Sequence, residues 1–134
     1  MAGIAKGIMS REGKNCTVNF ARLENSGSME DAIRREFLKL MKNYSGKGPQ
    51  DVKVLLFENQ IEITAVDAFT LLEKTITANR KNLSMAEQYR KLFYEEVAQH
   101  LEESVEQITG YRIRTFSIQS DASRKVDKIV LTAL

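Results

Sequence analysis

The sequence predicts an α+β domain: a four-stranded, mainly antiparallel sheet with helices on one face. Three observations carry this. Two pairs of short segments alternate between apolar and polar residues, as strands with one buried face do. Longer segments place apolar residues three and four apart, as amphipathic helices do. Between the first helical and first alternating segments stands Tyr44-Ser45-Gly46-Lys47-Gly48-Pro49, which holds the only proline of the chain. The resulting order is α-β-β-α-α-β-β, with no internal repeat.

The 134 residues suit one domain, and a hydrophobic share of 43% supplies its core. Residues 1–27 show no sustained period and read as a flexible N-terminal arm, with a short strand near Thr17–Phe20; the domain proper is expected over 28–134. Ser28 is the expected cap of the first helix, with Glu30 and Asp31 in its first turn. Ile33, Phe37, Leu40, Met41 and Tyr44 form its stripe. Gly46 stops it and Pro49 forbids continuation.

The first hairpin comes next. Val52, Val54 and Leu56 share a face, as do Ile61, Ile63 and Ala65 after a turn at Glu58-Asn59-Gln60. Leu55, Phe57 and Val66 lie on the other face, which suggests that it too is partly covered. Thr70 and Glu73 have the spacing of a capping box, opening a helix to about Asn79. Ser84 and Glu87 repeat that spacing at the head of the longest helix. Its stripe is read as Leu92, Phe93, Val97, Leu101, Val105 and Ile108, and Gly110 ends it. From Met85 to Thr109 this helix would run roughly 37 Å, so part of its stripe is expected against a second subunit. Arg112–Gln119 and Val126–Ala133 are the last two strands.

Charge and composition exclude several classes. A net charge of +2 does not announce a nucleic-acid binder. No apolar run approaches the ~20 residues of a transmembrane helix, and the first residues lack the apolar core of a signal peptide. Cys16 is the single cysteine, which rules out an intrachain disulfide and fits a reducing cytoplasm.

The candidate sites are few. Gly46-Lys47-Gly48 suggests a phosphate cradle, but such a cradle needs a strand before the glycines and a helix after; here the order is reversed. The segment reads as a tight turn, with Lys47 as a candidate anion contact. His100 is the only histidine and is read as a surface residue among acids. No metal site, cofactor or catalytic constellation can be assembled around one histidine and one distant cysteine. Glu95-Glu96 and Glu102-Glu103 read as a solvated helix face. Arg80, Lys81, Arg90 and Lys91 form a basic cluster in sequence, able to contact phosphates or to pair with Glu73, Glu87 and Glu95. No local backbone rule requires arginine at position 90, which makes it a functional candidate or one half of a buried ion pair with a carboxylate such as Glu73.

The junction and the segments after it resemble the MpsC-like family of small bacterial proteins, named for a component of a sodium-translocating, membrane-potential-generating system. The matching pieces span about Met29 to Leu134. They are Gly46-Lys47-Gly48-Pro49 after a helix, Val52 and Val54 in a strand, and Phe69-Thr70-Leu71-Leu72-Glu73. Tyr89-Arg90-Lys91, Ile108-Thr109-Gly110 and Ser120-Asp121 complete the set. The chain departs from the pattern at Phe69, where leucine is usual, at Lys74, where arginine is common, and at Asn79–Asn82, where the family is glycine-rich.

The resemblance implies a cytosolic accessory protein acting with a membrane cation or inorganic-carbon system, and it supplies no established catalytic residues to carry over. The leading reading is therefore a non-enzymatic binding module, expected to be a homodimer with a membrane-protein partner. Lys47, Arg80, Lys81, Arg90, Lys91 and Asp121 are its candidate binding residues. One alternative is a nucleic-acid-binding module, loosely similar to a KH domain but without that domain's Gly-x-x-Gly loop between Asn79 and Asn82. Another is a small enzyme with a site between subunits.

Overall fold

The structure is a computed structural model and describes residues 17–134; Cys16 and the residues before it lie outside the described part. The described residues form three helices and one four-stranded antiparallel sheet: α1 (Ser26–Ser45), β1 (Asp51–Phe57), β2 (Gln60–Val66), α2 (Leu71–Thr77), α3 (Leu83–Thr109), β3 (Ile113–Asp121) and β4 (Val126–Ala133). The strand order is β1-β2-β4-β3, so among the described residues β1 and β3 are the edges.

The helices cover one face of this sheet. Val52, Val54 and Leu56 of β1, Ile61, Ile63 and Ala65 of β2, and Ile129, Leu131 and Ala133 of β4 turn inward. Ile33, Phe37, Leu40 and Met41 of α1 and Val97, Leu101 and Val105 of α3 meet them. On the opposite face Leu55 and Phe57 are more than half exposed, against the expectation of partial cover, whereas Val66 is half-buried.

Gly46 and Gly110 end α1 and α3 with φ near +78° and +79°, and each gives its N–H to the carbonyl four residues back. The left-handed conformation satisfies a terminal carbonyl, and glycine adopts it without a Cβ penalty.

Local chemistry moves several expected boundaries. Among the described residues no strand forms over Thr17–Phe20. Asn19 instead caps a 3-10 turn at Phe20–Arg22, the Phe20 N–H donates to the Glu58 carbonyl at 2.8 Å, and the Phe20 ring is fully buried against Tyr111. α1 begins at Ser26, two residues ahead of Ser28. The first hairpin turns on Glu58 and Asn59 alone, because Gln60 pairs with Phe57. α2 stops at Thr77, and Asn79 opens a second 3-10 turn.

The capping box expected at Ser84 is absent, since α3 already starts at Leu83. Glu87 reaches across to accept the Ala122 N–H at 2.9 Å. The buried stripe of α3 is Ala86, Arg90, Tyr94, Val97, Leu101 and Val105, and Leu92 points outward.

Candidate functional site

The densest polar chemistry lies where α2, α3 and β4 meet. Thr70 caps α2: its hydroxyl accepts the Glu73 N–H at 3.2 Å, and Glu73 Oε1 accepts the Thr70 N–H at 2.9 Å. This box fixes the Glu73 side chain and leaves Oε2 aimed at α3. There it receives Arg90 Nη1 at 2.7 Å. Arg90 also donates from Nε at 2.9 Å and from Nη2 at 2.6 Å to Oδ2 of Asp127 on β4. Tyr94, one turn further along α3, donates to the same oxygen at 2.7 Å, and Ser120 of β3 donates to Oδ1 at 2.6 Å. Phe69 stacks on the guanidinium with its ring centroid 4.2 Å from Cζ.

Burial sets the stakes. Arg90, Tyr94 and Asp127 are each less than 5% exposed. Burial disfavours the Arg90 cation, but the hydrogen bond and charge of Asp127, helped by Glu73, outweigh it and hold the guanidinium protonated beyond the ordinary arginine range. Burial pushes the Tyr94 hydroxyl well above its ordinary value, and the neighbouring Asp127 charge pushes it further. The cluster is thus a locked structural triad of Arg90, Tyr94 and Asp127, with Glu73 as its outer partner. Two carboxylates face one guanidinium, so its formal charge is negative.

Above this cluster opens a groove of about 450 Å3 between the C-terminal end of α1, α2 and the first half of α3. Glu73 and Arg90 lie at its base. Its walls are apolar: Leu72 and Ile76 from α2, Met85, Tyr89 and Phe93 from α3, and Tyr44 from α1. Leu72, Met85 and Tyr89 are 70%, 59% and 64% exposed. These large side chains converge on one concave apolar surface rather than lying scattered.

Two of the hydroxyls at the groove are engaged by their own helix termini. Ser45 donates to the Met41 carbonyl and Thr70 to Glu73. His100 sits beside Tyr44, 3.2 Å from its hydroxyl. Among the described residues no cluster of three His, Cys, Asp or Glu side chains could hold a metal.

The expected basic cluster does not assemble. Arg90 is withdrawn into the core, and the pairing with Glu73 that its position allowed is formed. Arg80 and Lys81 stand exposed on the 3-10 turn between α2 and α3, and Lys91 points toward β3. Lys47 is not turned to an external anion. Its ammonium donates to the Phe69 carbonyl at 2.8 Å and the Asp67 carbonyl at 3.4 Å, tying the end of α1 to the link between β2 and α2.

Asp67, with φ of 53°, is drawn into the same link by Lys74 at 3.1 Å. Partial burial works against its ionisation, but the Lys74 hydrogen bond and the charges of Lys47, Lys74 and Lys125 hold the carboxyl below its usual range. Asp121 closes the β3–β4 turn by accepting the Ser123 hydroxyl and the Arg124 N–H, which lower its pKa.

Glu102, read as part of a solvated acidic face, accepts both the N–H and the hydroxyl of Thr115 at 2.8 Å. Asp127 is the site residue that sequence reasoning missed. Its signal is a lone carboxylate in phase with Ile129, Leu131 and Ala133.

A family model described as the Na+-translocating membrane potential-generating system (MpsC) matches residues 25–133. The chain belongs to the MpsC family. Comparison with curated proteins and with solved structures gave no match. Residues 25–133 include the whole of this family member's sheet and all three helices, so the groove and the Arg90 cluster both lie inside the matched region. Among the described residues, no helix is long and apolar enough to cross a membrane.

Proposed function

We propose that this MpsC-family chain is a non-enzymatic accessory protein of a membrane cation-translocating system, acting from the cytoplasm as a homodimer. Its contribution is to bind an amphipathic helix of a membrane-protein partner in the groove between α2 and α3. The observation that carries this is the apolar wall of Leu72, Ile76, Met85 and Tyr89, exposed over a base that is rigid and negatively charged.

Helix-in-groove recognition needs an apolar cleft of this kind, with anchors from the partner at helical spacing. The excess carboxylate at Glu73 complements a basic residue beside those anchors. The family description supports the link to a membrane system.

The test is co-purification from native membranes. Leu72→Glu combined with Tyr89→Glu places charge on both groove walls, and the variant loses the cation-translocating component that the wild type retains. Retention of that component by the folded variant would contradict the proposal.

A further inference from the structure

β3 is an edge strand, and its free side is managed unevenly. Backbone groups along it alternate between β4 and solvent, with one irregularity between Thr115 and Ser117. On the free side, the Ile113 N–H donates to Glu106 at 2.9 Å, the Thr115 N–H to Glu102 at 2.8 Å and the Ala122 N–H to Glu87 at 2.9 Å. Three glutamates of one helix therefore close both ends of the edge. Counting back in twos from Ala122 puts Ser120 and Ile118 on the same free side, and among the described residues no side chain accepts their N–H groups. Among the described residues the middle of the edge is open, and an open edge is a template for another strand.

A groove of about 500 Å3 runs beside this stretch, between β3 and the α3 residues Lys91, Glu95 and Ala98. Lys91 and Glu95 are exposed, and neither forms an ion pair among the described residues. α3 runs antiparallel to β3, as the Glu106–Ile113 and Glu87–Ala122 contacts at their two ends require. Interpolating between the Glu102–Thr115 and Glu87–Ala122 contacts brings Gln119 level with the helix near Phe93, midway between Lys91 and Glu95.

We propose that two copies of the chain join edge to edge through β3, about a dyad at Gln119. Ile118 then pairs with Ser120 of the partner subunit, and Ser120 with Ile118 of the partner subunit. The same dyad sets Lys91 against Glu95 of the partner subunit, twice. A self-complementary register and reciprocal opposite charges about one axis are what an isologous interface requires. The glutamate-closed ends confine the pairing to the open window. This interface deepens the homodimeric part of the proposed function and does not depend on the α2–α3 groove.

The test uses the full chain in sedimentation equilibrium at moderate salt, with Lys91→Glu, Glu95→Lys and the double exchange. The wild type is a dimer, and each single change weakens it by about tenfold or more, because both contacts become repulsive. The double exchange restores it, and Ile118 and Ser120 amide exchange slows as wild-type concentration rises. Circular dichroism confirms that the variants fold. A wild type that stays monomeric overturns the interface and leaves the edge to an extended segment of another protein. So does a dimer that the single changes do not weaken, or that the double exchange does not restore. A monomer that still captures the membrane partner separates this failure from a failure of the groove.

Discussion

Arg90 and Asp127, 37 residues apart in sequence, meet through two donors on one oxygen: Nε at 2.9 Å and Nη2 at 2.6 Å from Oδ2. The contact ties the first third of α3 to β4, and Glu73 extends it to α2. Replacing Arg90 with leucine strands a buried carboxylate. We expect a loss of about 3–5 kcal/mol in urea unfolding. Lysine does not rescue it, because a point charge cannot reach Asp127 and Glu73 together in the guanidinium geometry. Glu73→Gln costs less, since Glu73 is the more exposed partner and the amide still accepts at the cap.

Tyr94 gives the fold an alkaline limit. Its hydroxyl has a folded pKa raised above the ordinary 10.0. A raised folded pKa means that stability is fully present below the unfolded value and is lost as pH rises through the folded one. Chemical denaturation across pH 9 to 11 (~1 unit either side of tyrosine's ordinary value) shows wild-type stability beginning to fall near pH 10. Tyr94→Phe removes that tyrosine's share of the slope, at the cost of one donor to Asp127 at neutral pH.

Asp67 sets part of the acid limit. Its folded pKa lies below the ordinary 3.8. Stability from this group is present above that value and is lost as pH falls through the folded pKa. Asp67→Asn flattens the acid arm of the stability profile below about pH 4 and loosens the link that Lys47 and Lys74 hold.

Gly46 and Gly110 are tests of backbone conformation alone. A Cβ at either would meet nothing within 4 Å, so crowding plays no part. Alanine at either position costs about 1–2 kcal/mol through the left-handed conformation, read as a lowered unfolding midpoint.

These same glycines show what was legible in the sequence. Gly46, Gly110 and the Thr70–Glu73 box are local devices whose signal sits within a few residues, and all three stand where the sequence put them. The hairpin strands were legible because alternation of period two has no competitor there. Ser84 misled because the spacing of a capping box also occurs inside a helix that Asn82 had already started. Leu92 misled because it adjoins Phe93, and the phase of α3 is set by Arg90 and Tyr94, two polar residues on the buried side.

The cluster itself was half legible. Glu73 could be named as a partner of Arg90 because both belong to neighbouring helical segments. Asp127 could not, because its pairing depends on how β4 lies under α3. The closure of β3 by Glu87, Glu102 and Glu106 was hidden for the same reason: a helix face rich in glutamate looks solvated until a strand edge is placed beside it.

Site-specific photo-cross-linking shows whether the groove above Arg90 receives a membrane partner. A photoreactive residue is placed at Leu72 on the groove wall, or at Lys53 on the open sheet face as the control. An adduct with a cation-translocating membrane component is expected from position 72 and none from position 53. No such adduct from position 72, or an equal yield from both positions, would contradict binding in the groove.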